Sequence, residues 1–146
     1  MSLFAVDAED LATQLIHLTE RLTDRLAEET RAFEAHRPQD AAPGVAETGR
    51  LANLYRHEAA RVKLNPDMLA GAALETRRRL IRATEAFEAV LARHGRAVSA
   101  AQFISEGLVR AMAEEIAKSR SRAAGYGPVA RVAPSNAAAI AVNRRA

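Results

Sequence analysis

The sequence predicts an all-α protein: an elongated antiparallel helical hairpin or coiled-coil bundle of about three helices, followed by a flexible C-terminal tail. Three observations predict it. Apolar and small residues alternate at spacings of four and three through Leu69, Ala73, Thr76, Leu80, Ala83, Phe87 and Val90. They keep that phase through His94, Val98, Ala101, Ile104 or Ser105, Leu108, Met112 and Glu115–Ile116, which marks one face of a helix. Alanine, arginine, leucine and glutamate dominate the composition, and these are strong helix formers. No proline falls inside a stripe: the chain has Pro38, Pro43, Pro66, Pro128 and Pro134.

The elements follow in order. Residues 1–6 form a short apolar leader (Leu3, Phe4, Val6) that the sequence leaves loosely held. Asp7 is placed to cap a first helix, with Glu9 and Asp10 at the positive end of its dipole. The stripe Leu11, Leu15, Leu18, Leu22, Leu26 (or Arg25), Glu29, Phe33 again alternates four and three, a coiled-coil-like seam. Glu29 interrupts it, and its expected place is the seam edge, paired with an arginine. The helix, near 8–36, ends before Pro38. Pro38 to Gly44 is a loop short enough to bring a second helix, near 45–64, back antiparallel. That helix carries Leu51, Leu54, Tyr55, Glu58 and Val62 along one side.

Asn65 is a candidate N-cap for the long helix, with Pro66 at its first position and Asp67 behind. The long helix is expected over 66–122, about 55 residues and roughly 80 Å at 1.5 Å per residue. The Asn65–Pro66 step reads equally as a break or a kink. Gly125 suits a left-handed C′ position. Residues 123–146 read as a flexible basic tail, outside an elongated helical domain of residues 1–122.

Composition excludes several functions. Without cysteine there is no disulfide, thiol nucleophile or cysteine metal site. No apolar run approaches the ~20 residues that span a bilayer, so no membrane insertion is expected. The N-terminus carries acids where a signal peptide carries bases, which points to the cytoplasm. His17, His36, His57 and His94 sit one per segment, and no Glu-x-x-His pair occurs. His17 and Glu20 give the reverse order once. Glu85 and Glu88 lie beside Arg82 and read as a solvated face. We find no catalytic constellation, no metal site and no cofactor motif; the expectation is a protein that is not an enzyme.

Charge is uneven. Residues 1–60 hold six arginines against eleven acids, and residues 61–146 hold fifteen Arg or Lys against seven acids. Beyond Glu115 there is no acid, while Lys118, Arg120, Arg122, Arg131, Arg144 and Arg145 remain. Two readings stand: the acidic and basic segments pair within the fold, or the basic end meets an acidic partner. Arg77-Arg78-Arg79 is the densest basic run, but three consecutive helical residues form no single stripe, and no nucleic-acid motif accompanies them.

Several of these features together resemble the FlgN-type flagellar export chaperones. Leu22, Leu26, Glu28-Glu29 and Phe33 resemble that family's opening helix. Leu80 to Ile116 resembles its very long helix, and Gly125-Tyr126-Gly127-Pro128 resembles the start of its tail. The chain departs from the family at Ala130, where a glycine is common, and at Arg93-His94-Gly95-Arg96, where asparagines are common. The resemblance implies a cytoplasmic protein that binds hook–filament junction subunits, the flagellar hook-associated proteins, and keeps them soluble before type III secretion. It implies export-apparatus components as further partners. The candidate partner surface is Ile104, Leu108, Met112 and Ile116, with Tyr126 as an anchor beyond the helix; the same aliphatics read alternatively as core against the first helix. Left open, such a stripe also recruits a second copy, so a homo-oligomer is expected. Two other functions remain in play, a basic helical protein associated with nucleic acid and a structural coiled-coil adaptor.

Overall fold

A computed structural model describes residues 2–125. The chain is all-α over these residues, with three helices joined by short 3-10 turns. It divides into two compact units, Met1–Gln102 and Phe103–Ala146. That division falls inside the third helix.

In the first unit, α1 spans Ala8–Glu34. Asp7 caps it, its carboxylate accepting from the Asp10 N–H at 2.8 Å. The leucines of the heptad stripe, Leu11, Leu15, Leu18, Leu22 and Leu26, are all buried. Thr19 and Thr30 are buried beside them at 1% exposure, each with its hydroxyl donated to the carbonyl one turn back, on Leu15 and Leu26. Those bonds let small polar residues sit in a seam that would otherwise penalise them.

The end of α1 is a Schellman motif. The Arg37 N–H donates to Ala32 O at 2.9 Å and the His36 N–H to Phe33 O at 3.1 Å, which satisfies two of the last carbonyls. His36 sits at the C′ position with φ of 57°, the left-handed region that favours glycine. The helix therefore stops at Glu34, ahead of the expected His36, because the left-handed residue turns the chain before Pro38.

Two 3-10 turns, Pro38–Asp40 and Ala42–Gly44, lead into α2, Val45–Leu64. Its direction is fixed at both ends: Thr48 near its start meets Glu29 late in α1, while Glu58 near its end meets the leader at Leu3. The second helix thus runs antiparallel to the first, as the loop length required. Glu29 is a correction. It is 8% exposed and accepts the Thr48 hydroxyl at 2.6 Å; among the described residues no arginine pairs with it, and Arg25 turns to Glu28 instead.

The Asn65–Pro66 step is a break. Asn65 has φ −138° and ψ 81°, its side chain caps nothing, and Pro66–Leu69 is a 3-10 turn. The third helix, α3, begins only at Leu74 and runs to Gly125, 52 residues in all. The long helix expected from Pro66 is thus shorter at its start. The residue before a proline is driven to extended backbone, and the real cap comes from elsewhere. Glu9 of α1 accepts the Ala73 N–H at 2.7 Å on one carboxylate oxygen and the Thr76 hydroxyl on the other. Gly71 lies in the intervening turn, where an added Cβ would come within 3.3 Å of the Ala8 methyl. Gly95 and Gly107 are both inside α3. Gly125 is its last residue, and no glycine among the described residues has a positive φ; the left-handed cap expected at Gly125 is not formed.

Up to Gln102, α3 runs parallel to α1. Glu9 meets Thr76, Leu22 and Leu26 meet Phe87, and Thr30 and Phe33 meet His94. The result is an up-down-up three-helix bundle. Leu22, Leu26 and Phe87 form its central cluster, flanked by Leu51, Ala52, Tyr55 and Val90. The acidic first helix and basic third helix are joined by a bidentate pair, Arg93 to Glu34 at 2.6 and 2.7 Å.

The leader is not loose. The Leu3 N–H donates to Glu58 Oε1 at 2.9 Å, Gln14 donates to Phe4 O at 2.8 Å, and the Val6 N–H donates to Asp10 at 3.0 Å. Glu58 is fully buried, and Arg61 takes its second oxygen at 2.7 Å. A buried carboxylate needs such partners, so the leader is held where the bundle would otherwise leave an unsatisfied charge.

In the second unit the described residues, 103–125, are helical and exposed throughout. The expected tail begins inside this helix at residues 123–125, and the rest of it, 126–146, lies outside the described residues.

Candidate protein-binding surface

Ile104, Leu108, Met112 and Ile116 recur every fourth residue on α3. Each step of four advances about 40° round the helix, so the four form a gently drifting row. Their exposures are 52%, 60%, 56% and 53%. None of the four is buried. Val109, 67% exposed, lies about 60° from Met112 and widens the row. Phe103, 78% exposed, lies about half a turn from Met112 and belongs to the opposite face.

The charged residues sit around this row. Glu115 and Arg122 make an exposed contact at 3.2 Å, two turns apart. Glu106, Arg110, Glu114, Lys118 and Arg120 are also exposed. The described stretch presents apolar area with a mixed charged rim. Tyr126, the candidate anchor, lies outside the described residues.

This chain is 54% identical, over 149 aligned residues that cover all of both chains, to a Caulobacter vibrioides protein named flagellar basal-body protein FlbY. It belongs to the FlbY family. No protein-family profile matches this FlbY-family chain, and no solved structure matches it. It is thus a flagellum-associated protein, which is the coarser part of what the FlgN-type resemblance implied.

Other features of the FlbY-family chain lie in its first unit. A hollow of about 260 Å³ is floored by Leu15 and Thr19 of α1 and walled by Ala59, Val62, Leu80 and Thr84. At one end Tyr55 packs on Phe87 with ring centroids 4.7 Å apart. Burial, and then the nearby Glu88 charge, push the Tyr55 phenol above its ordinary range. His94, two turns further along α3, meets Phe33 and Thr30: the Thr30 hydroxyl proton is committed to Leu26 O, so its oxygen accepts from His94 Nδ1 at 3.1 Å. His17 stands 3.9 Å from Glu20 on an exposed surface. Among the described residues, no group of three or more His, Cys, Asp or Glu is gathered to hold a metal, and no helix is long and apolar enough to cross a membrane. Arg77, Arg78 and Arg79 are all exposed, spread over most of a turn.

Sequence reasoning missed Val109 and the Glu58–leader contact. Val109 was legible: it follows Leu108 and precedes Met112 by three, on the flank of the same stripe. Glu58 was visible only as a charge on an apolar face, since its partner at Leu3 is 55 residues away.

Proposed function

We propose that this FlbY-family chain is a flagellar type III export chaperone. It holds the amphipathic terminus of a hook-associated subunit against the exposed row Ile104, Leu108, Met112 and Ile116, and acts in the cytoplasm before secretion. The observation that carries the reading is that row: aliphatic side chains at a helical period, more than half exposed, on a chain with a flagellar relative. An amphipathic client helix laid along it buries its own apolar stripe, the helix-to-helix mode that uses anchors at i, i+4 and i+8. The client is then kept from assembling because its polymerising face is covered.

The test is capture of hook-associated subunits from flagellated cells by the tagged full-length protein. Subunits retained by the native chain and lost with Leu108→Asp/Met112→Asp, at unchanged helicity, support the reading. Failure of the folded native protein to retain any hook-associated subunit removes it. A second reading, a structural adaptor within the basal body, draws on the name of the Caulobacter relative. In that case the protein co-sediments with detergent-extracted basal bodies and captures no exported subunit.

A further inference from the structure

The strip on α3 is built like half of a coiled-coil interface. Around Met112, Leu108 lies about 40° to one side, Ile116 about 40° to the other and Val109 about 60°. That is an apolar band about 100° wide, the width that faces a partner helix. Ser105 and Ser119 continue the band in both directions with side chains small enough for close approach.

We propose that two copies of this chain pair antiparallel through this band, with the Met112 side chains meeting at the two-fold axis. Area sets the strength. A fully buried aliphatic side chain removes about 60–120 Å² from water. Four such side chains, each more than half exposed, together with the stems of the flanking Lys118, Arg120 and Arg122, give at most about 500 Å² per copy. The total is then at most roughly 1,000 Å², the lower bound for a specific interface. So small an interface makes the dimer reversible.

Charge sets the direction. Between Glu115 and Gly125 the helix carries Lys118, Arg120 and Arg122 and no acid, so a parallel pair brings two basic helix ends together. Antiparallel pairing separates them. With Met112 at the centre, Arg120 of one copy and Glu106 of the other fall on the same flank within about 3 Å of helix rise. By symmetry this contact occurs twice. On that same flank Val109 of each copy lies beside Ile116 of the other. Opposite charges on the rim fix orientation in this way at helix pairs.

The pairing is a property of the protein alone and does not require a client, so its test is separate from subunit capture. The chain has no cysteine, which makes single-site disulfide cross-linking clean. In the full-length protein, Met112→Cys is expected to cross-link to itself. A mixture of Val109→Cys and Ile116→Cys protein is expected to form the mixed dimer, and Leu108→Cys alone is expected to stay monomeric. Arg110→Cys, on the opposite face, reports random collision. Sedimentation of the native chain is expected to show a monomer–dimer equilibrium that Met112→Asp weakens by at least 100-fold with helicity unchanged. Glu106→Lys or Arg120→Glu alone is expected to weaken the dimer by about 3–10-fold, and the two together to restore it. Three results each overturn the proposal: a strict monomer at several hundred micromolar, self-cross-linking of Leu108→Cys, which is the parallel signature, or a yield for Met112→Cys no higher than for Arg110→Cys.

Discussion

Phe87→Ala tests how α3 is anchored in the first unit. Phe87 is the one buried residue of that helix among the described residues, at 7% exposure, and it reaches Leu22, Leu26 and Tyr55. Truncating a buried phenylalanine costs about 3–5 kcal/mol, transfer and cavity terms together. The aromatic contact with Tyr55, at 4.7 Å, is worth about 0.5–1.5 kcal/mol beyond area and is part of that loss. The hollow beside Tyr55 gives neighbouring side chains room to relax, which sets the expectation near the low end, about 3 kcal/mol. A domain of roughly 100 residues has about 5–15 kcal/mol in total, and each kcal/mol moves Tm by about 4–8 °C. The expected drop is therefore about 12–24 °C. Urea and thermal unfolding followed by far-ultraviolet circular dichroism measure it. Phe103→Ala is the control: the same chemistry at 78% exposure should change stability by no more than about 0.5 kcal/mol. A Phe87→Ala loss under about 1 kcal/mol, or one equal to that of Phe103→Ala, refutes the idea that this side chain fastens the third helix to the other two.

Three further outcomes follow from the same geometry. His36→Gly should stabilise the protein by about 0.5–1 kcal/mol in urea unfolding, because it relieves left-handed backbone at the Schellman C′ position by more than the added freedom of the unfolded chain. Thr48→Val should destabilise by about 1–3 kcal/mol, since it strips the hydroxyl that Glu29 accepts in a buried site and leaves the shape unchanged. For pH, Glu9, Asp10 and Glu34 are all held below their ordinary values. Glu9 is lowered first by the Thr76 hydroxyl and then by the Ala73 N–H, Asp10 by the Val6 N–H, and Glu34 by Arg93. A folded-state pKa below the unfolded one adds stability that is complete above the unfolded values, 4.5 for glutamate and 3.8 for aspartate. That stability is lost as pH falls through the folded values. The melting temperature should thus be level above about pH 5.5 and fall on acidification below the glutamate range, and Glu9→Gln should make that fall shallower. An acid limb as steep in Glu9→Gln as in the native chain would show that the cap on α3 does not titrate with folding.

Much of this architecture was determined by the sequence alone, because it is written in local spacing. The four-and-three alternation of Leu11 to Leu26 specifies a buried seam whatever lies opposite it. Pro38 and the short loop after it specify an antiparallel return, and the unbroken phase through Gly95 and Gly107 specifies one continuous helix. Local pattern also marked Ile104, Leu108, Met112 and Ile116 as one row. Whether that row is core or surface depends on where other helices stop, and local pattern carries no such information; only the tertiary structure showed it exposed. The start of α3 was decided the same way. Asn65, Pro66 and Asp67 are a good local cap signal, yet Glu9 supplies the cap from more than sixty residues earlier in the chain, and a strong acceptor held in place by tertiary packing outweighs a favourable local propensity. Glu29 and Glu58 read as charges misplaced on apolar faces, because their partners, the Thr48 hydroxyl and the Leu3 N–H, come near only when the second helix has folded back.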